Sequence, residues 1–470
     1  MSFPVQPTIA EIAKLLRAKQ ISPVELVEAH LRRADSLQLS LNSFVHIDSA
    51  SALQQAEASE AAILTAAPLG PLHGVPLSIK SCIDVSGWPC PAGSLLRKDY
   101  IPLQDAPLVA RLKSAGAILI GNTNTPENLM AYETGNLVSG RTSNPWSLSH
   151  SSGGSSGGEA AAIASGCSVA GVGSDGGGSI RVPAHFCGVC GLKPTPGRVP
   201  STGHFPPGAG ALSWLGVVGP MARTVADLRT LFEVMSGPDP GDALCAPVAH
   251  TKPQTKTFRG LHIGILESES LGEVTPETRA AVQSAATLLA NSGFTVEPFQ
   301  LRGLDRALEL WWFFFGSVIA HIFHQSLGAH EKSLSPGFRD YLSVALRQSL
   351  IPLDEFMSAC TQRDLLRADL LRQTQNVTIL LSPVSSGPAF RHGEGTWRSP
   401  SGYRETMRHS QWLNLAGFPG LSLPMGKSLD NLPIGIQLIA RPHEEELLLA
   451  VAETLEQARG PWQPPPLPIS

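Results

Sequence analysis

Apolar residues recur every three to four positions through the first forty residues, and polar residues punctuate them. Thr8 and Glu11 form a capping box ahead of IAEIAKLLRAK. Ser22-Pro23-x-Glu25 opens a second helix with proline at its first position, and Leu26, His30, Leu31 and Ala34 share one stripe of it. The period then changes. Val75 to Cys82 is a continuous apolar run that reads as a strand, with Lys80 near its end. Asp105 to Ala115 reads as a helix with Asp105 at its N-cap, Leu108, Leu112 and Ala115 on one face and Gly116 just past its end; Ala117 to Ile120 follows as a strand. The alternation returns with a helix at Glu159 to Ser165, stopped by Gly166, and a strand at Cys167 to Gly173. Thr224-x-x-Asp227 caps a further helix. Downstream come a strand at Leu261 to Leu266, a helix at Pro276 to Asn291, a strand starting at Thr295, and strands at Val377 to Leu381 (closed by Ser382-Pro383) and Ile434 to Ile439. Helices and strands alternating across short turns predict an α/β protein, one large mixed sheet covered by helices on both faces. There is no internal repeat and no low-complexity linker, and the proline tail Pro464 to Pro466 is expected to fray.

Composition narrows the picture. The 470 residues are 42% hydrophobic and only 16% charged, which suits a large buried core in one unit spanning 1–470. A net charge of −4 provides no basic field, so nucleic acid is not expected as a partner. No polar-free run approaches the ~18 residues of a membrane span, and the start MSFPVQPTIAEIAK lacks the charged and apolar regions of a signal peptide. Seven cysteines, an odd and thinly spread set, fit free thiols in a reducing compartment, so the expected location is the cytoplasm. A homodimer is left open.

The candidate chemistry lies between Ser151 and Thr195. Two serine-bearing glycine clusters stand there, Gly153 to Gly158 and Gly176 to Ser179. Successive amides in a tight glycine turn converge on one point and can hold a developing oxyanion. Ser179, at the end of that turn, could place its hydroxyl beside the same point, but a serine attacks only when a base takes its proton. No His, Asp and Ser fall in a recognisable local pattern. Ser155 and Lys80 offer another route, a neutral lysine accepting a proton relayed through a second serine. Lys80 has two readings from its own strand: a stem packed on the core with its ammonium reaching water, or a desolvated amine of lowered pKa.

Three other motifs in this stretch are set aside. Gly153-x-Ser155-x-Gly157 matches a nucleophile elbow, but NPWSLSHSS before it reads as loop rather than strand. Gly171-x-Gly173-x-x-Gly176 follows a strand, but GGSIRVPA does not start a helix and no acidic residue stands ~20 positions on. Cys187-x-x-Cys190 has no second pair and reads as packed thiols. No metal and no cofactor are expected.

The run GGSSGGEAAAIASG…GSDGGGSIRVPAHFCGVCGLKPT closely resembles the signature of the amidase signature family of serine hydrolases, above all the branch that holds fatty acid amide hydrolases. The resemblance covers about 65–230 and returns at LLSPVSSGPAF and at NLAGFPGLSLPMG…LPIGIQLIARPHEEELLLAVA; about 240–370 matches nothing specific and is read as shaping the substrate site. The resemblance implies an α/β/α sandwich around a mixed sheet of about eleven strands. It implies Ser179 as nucleophile, Ser155 as relay after a cis peptide bond, and Lys80 as base. It further implies an oxyanion nest from the amides of Gly176, Gly177, Gly178 and Ser179, with Ser156 bonding near Lys80 and Asp175 and Arg181 bracing the loop. Relatives often carry isoleucine where this chain has Gly176. Leu129 and Met130, with Ser155, are expected to line the substrate pocket.

The expected activity is C–N bond hydrolysis of amides through an acyl-enzyme, extending to esters and carbamates (urethanes), with a small-molecule substrate. Trp311 to Phe315 reads either as a buried helix or as an apolar funnel for aryl substrates, and Phe205 and Trp214 fall in a Gly/Pro-rich loop. The alternative function is the glutaminase subunit of an amidotransferase that acts on charged tRNA with partner chains.

Overall fold

Eleven strands form one mixed sheet in the computed structural model of the chain, which describes residues 6–65, 68–250, 260–327, 330–346, 350–398 and 402–467. They are β1 (Phe44–Ile47), β2 (Pro76–Lys80), β3 (Ile118–Thr123), β4 (Ala170–Asp175), β5 (Cys190–Lys193), β6 (Val217–Ala222), β7 (His262–Glu267), β8 (Thr295–Gln300), β9 (Ile379–Pro383), β10 (Gly420–Lys427) and β11 (Pro433–Ile439). Across the sheet their order is β1-β3-β2-β4-β6-β5-β10-β11-β9-β7-β8. β2 is parallel to β3 and β4, and β7 is parallel to β8 and β9; the other neighbours are antiparallel.

Both faces are covered, and the strand sequences show why. Along β3, Leu119 joins a core cluster with Leu77 and Ile79, while Ile118 and Ile120 join another with Val27 and Phe44. A strand sandwiched between helices buries both sets of side chains, so its sequence reads as an unbroken apolar run. The helices on the first face include Ile9–Arg17, Val225–Met235, Pro276–Asn291 and Glu445–Arg459. Gly157–Ala164 and Arg181–Cys187 lie on the other.

Helix starts follow their caps. Thr8 and Ser22 both form complete capping boxes, and Thr224 accepts from Asp227 N. Asp105 does not cap its helix. Pro107 starts that helix with Ala106 at the cap position, and the Asp105 carboxylate instead accepts from Ser86 N and pairs with Lys113 at 2.8 Å. The strand expected from Cys167 begins at Ala170, because the Cys167 and Ser168 amides still bond the Ala162 carbonyl and close the helix before it. Val377 bonds back into a turn on Thr374, and β9 instead takes in Ser382-Pro383.

Three further expectations change. NPWSLSHSS is not a plain loop: Ser143–Asn144 and Ser147–Ser151 pair as a two-stranded ribbon outside the main sheet. The tail is docked: Trp462 Nε1 donates to the Gly188 carbonyl at 2.7 Å, Pro465 is buried and Leu467 packs against a core cluster. The helical run Leu304–Gln325 is long and apolar enough to cross a membrane by length and composition, although it contains no polar-free span, and 50% of its apolar window is buried inside the fold. All seven cysteines are free, Cys187 and Cys190 among the buried ones.

The helix Gly157–Ala164 lies close on the sheet: six of its eight residues are Gly or Ala, and all eight are buried. A Cβ on Gly171 of β4 would overlap the Glu159 carboxylate beneath it and the Ser78 carbonyl of β2. Gly171→Ala is therefore expected to lower stability by roughly 1–3 kcal/mol, read as a lower urea midpoint at unchanged m-value. An unshifted midpoint would show that both the Glu159 carboxylate and the β2 backbone at Ser78 yield freely.

Candidate active site

Parallel strands bring their carboxyl ends to one edge, and ligands of α/β proteins gather there. Ile79 pairs with Val172, so Lys80 at the end of β2 stands close to Ser174 and Asp175 at the end of β4. Lys80 is fully buried, and its Nζ donates to Ser155 Oγ at 2.7 Å and to Ser174 Oγ at 3.0 Å. Burial lowers its pKa from 10.5 to about 8, against the opposing pull of Cys82, Asp175 and Glu159. Glu159 does not fully compensate the lysine. Burial pushes its pKa up to about 7, although Ser78 Oγ and Thr123 Oγ1 both donate to it.

Ser155 follows a cis peptide bond at Gly154–Ser155. Its carbonyl accepts from Thr125 Oγ1 at 2.8 Å, and the next amide, that of Ser156, donates to the Ser179 carbonyl at 3.1 Å. The two glycine clusters are thus laced together through the backbone. Ser156 Oγ donates to the Ser174 carbonyl at 3.3 Å, so it reaches Lys80 through Ser174 rather than directly.

The second cluster turns around Asp175. Burial works against the Asp175 carboxylate, but Arg181 beside it prevails and holds its pKa well below the usual carboxylate range. The pair is bidentate: Arg181 Nε and one terminal nitrogen each stand 3.0 Å from an Asp175 oxygen, with both side chains at 0% exposure. Asp175 Oδ1 also accepts from Gly178 N at 2.6 Å. One of the four amides expected in the oxyanion nest is therefore committed to the brace. Those of Gly176, Gly177 and Ser179 have no acceptor among the described residues.

Leu129, Met130, Ser155, Ser174, Gly176, Ser179, Leu212 and Phe315 line one cavity here, with His204 and Pro206. The structure thus brings together Lys80, Ser155 and Ser179, and it sets Leu129 and Met130 on the cavity wall. No direct hydrogen bond joins the Ser155 and Ser179 hydroxyls among the described residues; the Ser156 amide and the Ser179 carbonyl make the bond between the two segments. The aromatic run divides between its two readings. Trp311 and Phe314 are buried in the core, whereas Phe315 faces the cavity. Trp214 lies in a short helix, Ala211–Leu215, and its ring meets Phe314 edge-on. Sequence reasoning missed Ser174, Trp311 and Tyr132 as neighbours of the glycine loop. Ser174 had a signal, since it precedes Asp175 in a strand parallel to the one that ends at Lys80. Among the described residues, no group of three or more His, Cys, Asp or Glu could hold a metal ion.

The sequence model of the family described as Amidase matches residues 25–449. A glutamyl-tRNA(Gln) amidotransferase subunit from Roseiflexus castenholzii (strain DSM 13941 / HLO8) is 34% identical over 475 residues, 96% of each chain. The corresponding amidotransferase subunit from Synechococcus sp. (strain CC9605) is 34% identical over 481 residues, again 96% of each. Among solved structures, a chain from a vestigial complex linked to the origins of an s-triazine catabolic enzyme superposes with a TM-score of 0.89 at 29% identity, covering 97% of this chain and 100% of that one. A bacterial aryl acylamidase of the amidase signature enzymes superposes with a TM-score of 0.86 at 25% identity, covering 99% and 100%. With a family match across most of its length and relatives of this kind end to end, the chain belongs to the amidase signature family.

Proposed function

We propose that this chain hydrolyses amide C–N bonds through an acyl-enzyme on Ser179, with Ser155 as proton relay and Lys80 as base. The observation that carries the reading is the 2.7 Å contact of a buried lysine with Ser155 Oγ, at a cavity that Ser179 shares. With a pKa of about 8, Lys80 is neutral in roughly a tenth of molecules at pH 7, and more as pH rises. In the neutral amine the contact reverses, and Ser155 O–H donates to Nζ. Ser155 can then take the Ser179 proton as that oxygen attacks the substrate carbonyl. The free amides of Gly176, Gly177 and Ser179 receive the oxyanion. The proton returns through Ser155 to the leaving nitrogen, and water clears the acyl group by the reverse path. Esters and carbamates pass through the same tetrahedral oxyanion, so both are within reach.

Two substrate readings differ in what supports them. The wall of Leu129, Met130, Leu212, Val217, Val218 and Phe315 supports small amides with an apolar or aryl acyl part. Among the described residues no arginine or lysine lines this cavity, His204 is kept neutral by burial with a pKa near 4, and Asp175 is engaged by Arg181. Among the described lining residues, then, no unengaged charged side chain is offered to a zwitterionic amino acid. The curated relatives favour the second reading over an apolar preference: their description as amidotransferase subunits, matched over 96% of each chain, supports a glutaminase role with partner chains. The free thiols support a reducing compartment such as the cytoplasm.

A turnover panel of an acylanilide, an aryl carbamate, a fatty amide and glutamine, run on the isolated chain, separates these. The cavity wall predicts anilide turnover without glutaminase activity. Glutamine hydrolysis in preference to the rest, or only once partner chains are added, would establish the second reading instead. Ser179→Ala is expected to cut kcat by about 10⁴-fold or more while leaving the unfolding midpoint nearly in place; residual activity within tenfold of the parent would remove Ser179 from the mechanism. The lysine base sets the pH dependence: kcat/KM should fall about tenfold per pH unit below the Lys80 pKa and level off above it, with the bend near pH 8. A flat profile from pH 6 to 9 would be incompatible with a lysine of about that pKa.

A further inference from the structure

Two aromatic donors hold the glycine loop from outside, and no step above uses them. Trp311 Nε1 donates to the Gly176 carbonyl at 2.9 Å, and Tyr132 OH donates to the Gly177 carbonyl at 2.6 Å. A trans peptide is planar, so its C=O and the N–H that follows point to opposite sides. Fixing the Gly177 carbonyl fixes the Gly178 N–H, which is spent on Asp175 Oδ1. Fixing the Gly176 carbonyl fixes the Gly177 N–H, which has no acceptor among the described residues. The two bonds therefore serve different ends: Tyr132 completes the brace, and Trp311 aims a free donor.

Trp311 is well held for that task. Its side chain is buried and stacks on Phe315 with ring centroids 4.6 Å apart and planes 14° from parallel. A Cβ on Gly177 would overlap Trp311 Cζ2, so the loop and the indole are in direct contact. Phe315 stands over Gly176, where a Cβ would lie 3.4 Å from its ring, and it also lines the cavity. It belongs to a π-helical turn, Phe313–Val318, whose Phe315 and Gly316 carbonyls accept from Tyr341 OH at 2.5 and 3.1 Å. Single π-turns inside α-helices recur at functional sites.

We infer that Trp311 is a positioning residue for acyl transfer: its indole N–H orients the 176–177 peptide so that the Gly177 N–H meets the oxyanion formed when Ser179 attacks. This rests on the reading of Ser179 as nucleophile. A donor aimed before the reaction costs no reorganisation during it. A hydrogen bond on the carbonyl also polarises the peptide, which makes the N–H a stronger donor. Trp311 moves no proton and touches no substrate.

The test uses Trp311→Phe and, to keep the shape of the indole, a chain carrying 3-benzothienylalanine at position 311, in which sulfur replaces the N–H. Each is assayed on the amide that the parent turns over best. Each is also titrated with a trifluoromethyl ketone, which becomes a tetrahedral oxyanion on the enzyme, and with the matching methyl ketone, which mimics the ground state. In both, kcat should fall about tenfold to hundredfold with KM within about twofold, and trifluoromethyl ketone affinity should fall by the same factor as kcat while methyl ketone affinity holds. Unchanged kcat in the benzothienyl chain, or equal loss of affinity for both ketones, would overturn the inference. A fluorophosphonate probe separates the premise: no adduct on Ser179 of the parent chain defeats the acyl-enzyme reading itself, whereas an adduct with unchanged kcat in both altered chains defeats only the role of Trp311.

Discussion

Two opposite charges with no access to water set the shape of the glycine loop. Asp175 ends β4, and Arg181 opens the helix Arg181–Cys187. Their bidentate contact folds the intervening residues into a tight turn, with the Gly178 and Ile180 amides drawn onto the same carboxylate. Arg181 also reaches Ser410 O, Asn414 Oδ1 and Gln437 Oε1, residues from a helix and a strand more than two hundred positions away. A buried pair of this kind gains little over apolar packing, but removing one partner strands the other and costs about 3–5 kcal/mol. What the pair supplies is geometry. It holds the loop against the distant half of the sheet, and the amides beside Ser179 take their directions from it.

Lys80 obeys the opposite logic. It is as deeply buried as Arg181, yet among the described residues no carboxylate is in hydrogen-bonding contact with it; its partners are two serine hydroxyls and a carbonyl. One cation is paired with a carboxylate, while the other is left with neutral partners and loses its proton more easily than an exposed lysine. The same edge of the sheet thus separates bracing from proton transfer by the company that each charge keeps.

Much of this was legible because local chemistry and tertiary structure agree. The capping boxes at Thr8 and Ser22 act within three residues, and the helix Pro276–Asn291 carries its own start and stop. The glycine clusters stood out because small residues in runs mark close approach, and Lys80 stood out as a charge in an apolar strand. The misses have a common cause. The Asp105 carboxylate is taken by partners farther along the chain than a cap would be, Lys113 and the Ser86 amide. Trp311 lies 135 positions from the carbonyl it holds, and Tyr132 lies 45 from its own. An indole N–H aimed at a glycine carbonyl leaves no periodic trace. From spacing alone, the aromatic run could be core or cavity wall, and a π-turn within it makes it both.

The order of the strands has a bearing on how the molecule is made. β10 and β11 lie between β5 and β9, so the sheet's two wings, β1 to β6 on one side and β7 to β9 on the other, meet only through this hairpin. Its residues, 420–439, leave the ribosome after both wings have emerged. Until then each wing presents a raw edge, at β5 and at β9, with unpaired backbone groups that invite foreign strands. The keystone is laid late, and the seam between the wings stays open until it arrives.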